Sequence, residues 1–166
     1  MPFNAQGPKV LEKGYIIESL DDGLYFLSNG AYNTMFMVTD EGVIAIDAPP
    51  AIGKNYLKAI SEVTDKPVKY VIYSHSHKDH IGAAGNIFPR NVTYIAQQET
   101  GNKLKIANNS ARPIPNIIFA KNFTLKVKNQ TVLELDYPGI THEAGNIIIF
   151  ALEQKSLMFV DVIYPG

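Results

Sequence analysis

The chain has 166 residues, 46% of them hydrophobic and 19% charged, which fits one globular domain with a core of useful size. A net charge of −1 gives no electrostatic case for nucleic acid or an anionic membrane as partner, and no apolar run approaches the roughly 20 residues that span a bilayer. The absence of cysteine removes disulfides, thiolate metal sites and a cysteine nucleophile together, leaving His, Asp and Glu as candidate ligands.

Residues 1–14 read as a flexible lead-in, with two prolines and a glycine among the first eight, and the domain proper is expected over 15–166. The start lacks the basic and apolar regions of a signal peptide. That makes the cytoplasm the default compartment, although a mature exported form would begin in the same way.

From Tyr15 the sequence becomes strand-like. Leu24-Tyr25-Phe26-Leu27 ends in the turn Ser28-Asn29-Gly30, and strands over 34–39 and 43–47 flank the hairpin-type loop Asp40-Glu41-Gly42. Asp47 closes the second of these strands, because Pro49-Pro50 forbid continuation of the ladder. On spacing alone Asp47 reads first as a turn-capping carboxylate. Tyr56, Leu57, Ile60 and Val63 recur at helical spacing between Gly53 and Asp65, Lys66-Pro67 breaks that helix, and a buried strand is predicted over 68–73.

That strand delivers the densest chemistry in the chain, His75-Ser76-His77-Lys78-Asp79-His80. Three of the four histidines fall within these six residues. Imidazole and carboxylate are the ligands that hold zinc and related transition ions. In an extended segment residues i and i+2 point the same way, so His75 and His77 can grip one ion. Asp79 and His80 then sit at a turn, where they can reach a second.

A short helix is predicted over 82–88, a strand over 92–96 and a polar helix over 97–107. The loop over 108–115 reads as either a plain connector or a mobile segment over a site. Two hairpins complete the pattern, 123–127 with 131–135 and 146–152 with 156–160. Between them lies the fourth histidine, His142, in the Gly-bounded loop Gly139-Ile140-Thr141-His142-Glu143-Ala144-Gly145. A two-His grip wants a third ligand, and three protein ligands with an open position is how catalytic zinc is held. Asp161, after the last strand, reads either as one more strand-end carboxylate or as a bridge between two cations.

With these residues in view, the sequence resembles the metallo-β-lactamase superfamily of metal-dependent hydrolases. His75-x-His77-x-Asp79-His80 is similar to its signature, and Asp47, His142 with Gly145-Asn146, and Asp161 follow in the family's order. The resemblance implies an α+β fold, an αββα sandwich with metals at one edge of two sheets. It implies His75, His77 and His142 on the first ion, Asp79 and His80 on the second, Asp161 bridging, and Asp47 bracing the ligand loop. It also implies zinc, one or two ions, with iron or manganese as alternatives. A metal-activated hydroxide would attack an ester, lactam, thioester, phosphoester or sulfate ester as small-molecule substrate, with Asp79 orienting the nucleophile or taking its proton.

Two departures qualify the resemblance. Glu143 stands where the family often has Ser or Thr, and the chain stops five residues after Asp161, before the further His that completes the family's second site. The sequence therefore reads as a member truncated at its C-terminus. Its second sheet is expected to expose an apolar face or an unpaired edge, a route to self-association. The alternatives are a non-catalytic or weakly active fragment holding a single ion, and a di-iron redox relative.

Overall fold

The computed structural model describes residues 8–163. The first half of the expected lead-in lies outside them. Its second half is a correction: Pro8–Lys13 form a short helix, α1, with Val10 buried. Proline tolerates the first helical position because its missing N–H would be unbonded there anyway.

A seven-stranded sheet carries the site. Its strands are β1 (Ile16–Asp21), β2 (Leu24–Ser28), β3 (Asn33–Thr39), β4 (Gly42–Ile46), β5 (Val68–Ile72), β6 (Thr93–Gln97) and β7 (Ile117–Phe119), in spatial order β1-β2-β3-β4-β5-β6-β7. The first four form the antiparallel meander that the turn residues demand. From β4 onward the pairing is parallel, because helices carry the chain back between strands. Helix α2 (Asn55–Val63) makes the first return, and α3 (Lys78–Ile81) with α4 (Ala84–Ile87) makes the second. Helix α5 (Gln98–Ala107) makes the third. The ends of β4 and β5 thus point to one edge, where loops are free to carry side chains of chemical use.

Strand β4 is apolar without interruption because both of its faces are covered. Val43 and Ala45 join Tyr56, Ala59 and Ile60 of α2 and Leu104 of α5 in one core cluster. Ile44 and Ile46 join Leu125, Leu133, Leu135, Ile147 and Ile149 in the other. The latter five come from or border a second, four-stranded sheet of β8 (Asn122–Val127), β9 (Gln130–Asp136), β10 (Ile148–Ala151) and β11 (Ser156–Met158), ordered β11-β10-β9-β8. The fold is the predicted α+β sandwich. Among the described residues no helix follows β7, so three of the four layers of an αββα arrangement are present there. β11 lies at the edge of the smaller sheet with Leu157 half-exposed.

The loop over 108–115 is tied down behind the ligand segment. Gly85 N donates to Ala111 O at 3.0 Å, Tyr73 Oη to Pro113 O at 3.2 Å, and Arg112 Nη1 to Ser76 O at 2.8 Å.

Candidate metal centre

Beyond β5 the chain runs on as Tyr73-Ser74-His75-Ser76-His77, held on both sides by backbone bonds. Tyr73 N donates to Ile95 O at 2.9 Å and Ile147 N to Ser74 O at 3.0 Å. Asp47, one residue past β4, takes a left-handed conformation with φ 54°, which Asp tolerates better than most residues. Its carboxylate accepts Ser74 N–H at 2.7 Å through Oδ1 and Ser74 Oγ–H at 2.6 Å through Oδ2. Ser74 Oγ in turn lies 2.9 Å from Nδ1 of His75. When Asp47 is ionised it only accepts, so the hydroxyl proton then goes to Asp47 and the hydroxyl lone pair is left for His75 Nδ1–H. His75 then presents the lone pair of Nε2, a buried atom with no hydrogen-bond partner. Burial, and then the neighbouring His80 and His77, push His75 down to about 3, which keeps the ring neutral. Burial pushes Asp47 up to about 7 against the pull of the two Ser74 donors.

Around that orphaned nitrogen three further donors converge. One ligand atom each from His75, His77, His142 and Asp161 lies within 4.8 Å of the others. His142 Nε2 is 3.2 Å from His77 Nδ1 and 3.2 Å from Asp161 Oδ2, and His75 Nε2 is 3.5 Å from the same oxygen. A tetrahedron with metal–ligand bonds of about 2.0–2.1 Å has edges of about 3.3–3.4 Å. The three separations match such edges. Asp161 sits not at a strand end but in a turn after β11, with φ 60°. Asn146 Nδ2 pins that turn by donating to Val160 O at 2.9 Å.

The other predicted residues also gather at Asp161. Asp79 and His80 lie on the one-turn helix α3 in place of an open turn. His80 Nε2 is 3.1 Å from Asp161 Oδ2, the oxygen that already faces His75 and His142, and 3.4 Å from Asp79 Oδ2. Tyr32 in the β2–β3 loop donates to Asp79 Oδ2 at 3.2 Å and lies edge-on to His80. The nearby Asp79 charge pushes the Tyr32 phenol up. Asp79, His80, Asp161 and Tyr32 line a pocket of about 540 Å³, whose remaining wall is mostly apolar, with Phe26, Met35, Leu157 and Ile163 among its residues and Asn33, Thr34 and Ser156 as its polar members. All six proposed ligands therefore meet in one place, and Asp47 stands one hydroxyl behind His75.

Glu143 belongs to the site as well, although no role follows from its place in the sequence beyond its unusual position after His142. It accepts Ser76 N–H at 3.0 Å, Ser76 Oγ–H at 2.8 Å and Lys103 Nζ–H at 2.8 Å, and it faces His77 Nε2 at 3.4 Å. Burial works to raise this carboxyl, but Lys103, Ser76 and His77 outweigh it and hold Glu143 down to about 2.

Two layered sheets with a His-rich edge site define a class. The chain belongs to the metallo-β-lactamase superfamily, whose profile matches residues 27–164. It is 25% identical over 159 residues to the 2,4-dinitroanisole O-demethylase subunit alpha of Nocardioides sp. (strain JS1661), covering 93% of this chain and 48% of that protein. It is 28% identical over 160 residues to metallo-beta-lactamase type 2 of Elizabethkingia meningoseptica, covering 90% of this chain and 63% of the relative. The chain thus spans about half to under two-thirds of the length of these relatives. In fold it is similar to metallo-beta-lactamase IND-7, with a TM-score of 0.72 at 21% identity over 86% of this chain and 69% of the other. It is similar in the same way to a metallo-beta-lactamase from Pontibacter korlensis, with a TM-score of 0.71 at 24% identity and the same coverage.

Proposed function

We propose that the chain is the metal-binding part of a zinc-dependent hydrolase. One observation carries this reading: His75, His77, His142 and Asp161 each bring one ligand atom within 4.8 Å of the others, and three of the separations, at 3.2–3.5 Å, suit the edges of a tetrahedron around one ion. Three imidazoles and one carboxylate suit zinc, whose d-shell imposes no geometry of its own. Glu143 is engaged by Lys103 and Ser76 and adds no oxygen to this set, which favours zinc over a di-iron redox centre.

His75, His77, His142 and Asp161 would hold the first ion, and Asp79 and His80 would share Asp161 toward a second. Ions of this kind polarise an acyl or phosphoryl oxygen and lower the pKa of water from 15.7 toward about 7. The residues around them do the rest. Asp79, exposed beside the pocket and held by Tyr32, orients an attacking water through an accepted hydrogen bond and can take its proton. The apolar pocket wall binds the organic part of a substrate and keeps bulk water from the reacting atoms. Substrates in view are esters, lactams, thioesters, phosphoesters and sulfate esters. One relative is named as a β-lactamase and another as an aryl-ether demethylase subunit, so both a cephalosporin and a nitroaryl ether belong in the test panel.

The purified chain would be analysed for metals, stripped with a chelator, reloaded with zinc and assayed with that panel and with p-nitrophenyl esters. Zinc bound to the chain, with turnover lost on stripping and recovered on reloading, is the expected result. Turnover that survives stripping, or iron as the main metal, would overturn the proposal.

A further inference from the structure

Ser76, the residue between the two paired histidines, is gripped from three directions. Its N–H and hydroxyl both donate to Glu143, and its carbonyl accepts from Arg112 Nη1 at 2.8 Å. Glu143 is itself held by Lys103, whose ammonium also donates to Ala144 O at 2.8 Å and so ties α5 to the His142 loop. The far side of the His77 ring completes the arrangement. Nε2 faces Glu143 Oε1 at 3.4 Å while Nδ1 faces His142 Nε2 at 3.2 Å. A carboxylate that already accepts from Ser76 and Lys103 has only acceptor capacity to offer a third neighbour. It favours a proton on Nε2, which leaves the Nδ1 lone pair directed into the cluster.

We infer that Glu143, anchored by Lys103, is a positioning residue for the metal ligands. It selects the Nε2–H tautomer of His77, turns Nδ1 inward, and through Ser76 locks the spacing of His75 and His77. This rests on the metal reading above and adds to it a charged brace that the ligand motif does not contain. Both Glu143 oxygens are engaged by Ser76, and Oε1 also by Lys103.

The test uses the full chain and two variants, Glu143→Gln and Lys103→Met. Zinc affinity is measured by competition with a chromophoric chelator. The His77 tautomer is read by nitrogen-15 NMR on the metal-free protein, and folding is followed by thermal melting. Glutamine keeps the shape of the side chain, but its single oxygen cannot satisfy both Ser76 N–H and the Lys103–His77 side. The expected result for Glu143→Gln is zinc binding weaker by roughly tenfold to a hundredfold, with the His77 signal moving toward Nδ1–H and the metal-free fold retained. Lys103→Met should shift both readouts in the same direction by less.

Zinc affinity within about threefold of the parent in Glu143→Gln, with an unchanged His77 signal, overturns the inference. Should Glu143→Gln not fold, Lys103→Met and the parent spectrum decide, since a metal-free parent with His77 as Nδ1–H overturns it directly. A parent chain that binds no zinc overturns the metal reading itself. A parent that binds zinc with His77 in the other tautomer overturns only the role of Glu143.

Discussion

The two halves of the site share Asp161 and differ in the hydrogen bonds that brace their ligands. On one side, His75 is fully buried and backed by Ser74 and Asp47, while His77 and His142 are tied together through Glu143, Ser76 and Lys103. On the other side, Asp79 is more than half exposed and meets the Tyr32 hydroxyl and the ring of His80, which is itself buried. A site whose donors are fixed before the ion arrives loses less freedom on binding than one whose donors must be ordered by it. The braced half should therefore fill first and hold its ion more tightly. The open half is where a substrate can enter.

Removing a ligand from the braced half is the harshest way to break this contrast. His77→Ala is predicted to abolish tight zinc binding and to lower hydrolysis by at least about a thousandfold, measured by metal analysis and steady-state turnover. Activity near that of the parent would mean that the chemistry lies elsewhere.

Asp47→Asn probes the support behind the ligands without touching them. Asn must keep its oxygen toward Ser74 N–H, so its NH₂ faces Ser74 Oγ and the hydroxyl proton turns toward His75 Nδ1. That moves the His75 proton to Nε2, and zinc affinity is predicted to fall by roughly tenfold to a hundredfold. Stability should move the other way. The folded Asp47 carboxyl sits at about 7, above its unfolded value, so the folded chain retains this proton to higher pH. Its contribution therefore becomes unfavourable as pH rises from about 4 to about 7, and stays so above that. Metal-free melts should show Asp47→Asn gaining on the parent between pH 5 and pH 8; a constant difference across that range would count against the buried carboxylate as its source.

A third test moves the His142 loop. Gly145 has φ 98°, and a Cβ there would lie 2.5 Å from Thr100 Oγ1 and 2.7 Å from Thr100 N. Gly145→Ala is predicted to cost about 1–3 kcal/mol in the metal-free protein and to weaken zinc binding, read from melts and chelator competition. An unchanged melting temperature would show that the loop yields without loss.

The smallest effect belongs to the open half. Tyr32→Phe removes one hydroxyl from Asp79 and is predicted to leave first-ion affinity unchanged while altering second-ion affinity or turnover by no more than about fivefold. A loss of the first ion would erase the distinction between the halves.

Much of this was legible in the chain itself. The i, i+2 spacing of His75 and His77, the strand before them and the unbroken apolar run of β4 are local patterns, and the larger sheet follows them. Asp79 and His80 were legible as candidate ligands but not as parts of a helical turn, because a four-residue helix has no periodicity to read. The helix at Pro8–Lys13 was hidden by the prolines and glycine around it, and β7 by its brevity.

What the sequence by itself determined is the set of candidate donors and the strands that lead to them, since both are read from local residue patterns. What only the tertiary structure decided is which atom of each donor faces inward. The proton on His75 is set by Asp47, 27 residues before Ser74, and the ring of His77 by Glu143, 67 residues after Ser76. Lone-pair directions are fixed by hydrogen bonds across such distances, and no local pattern records them.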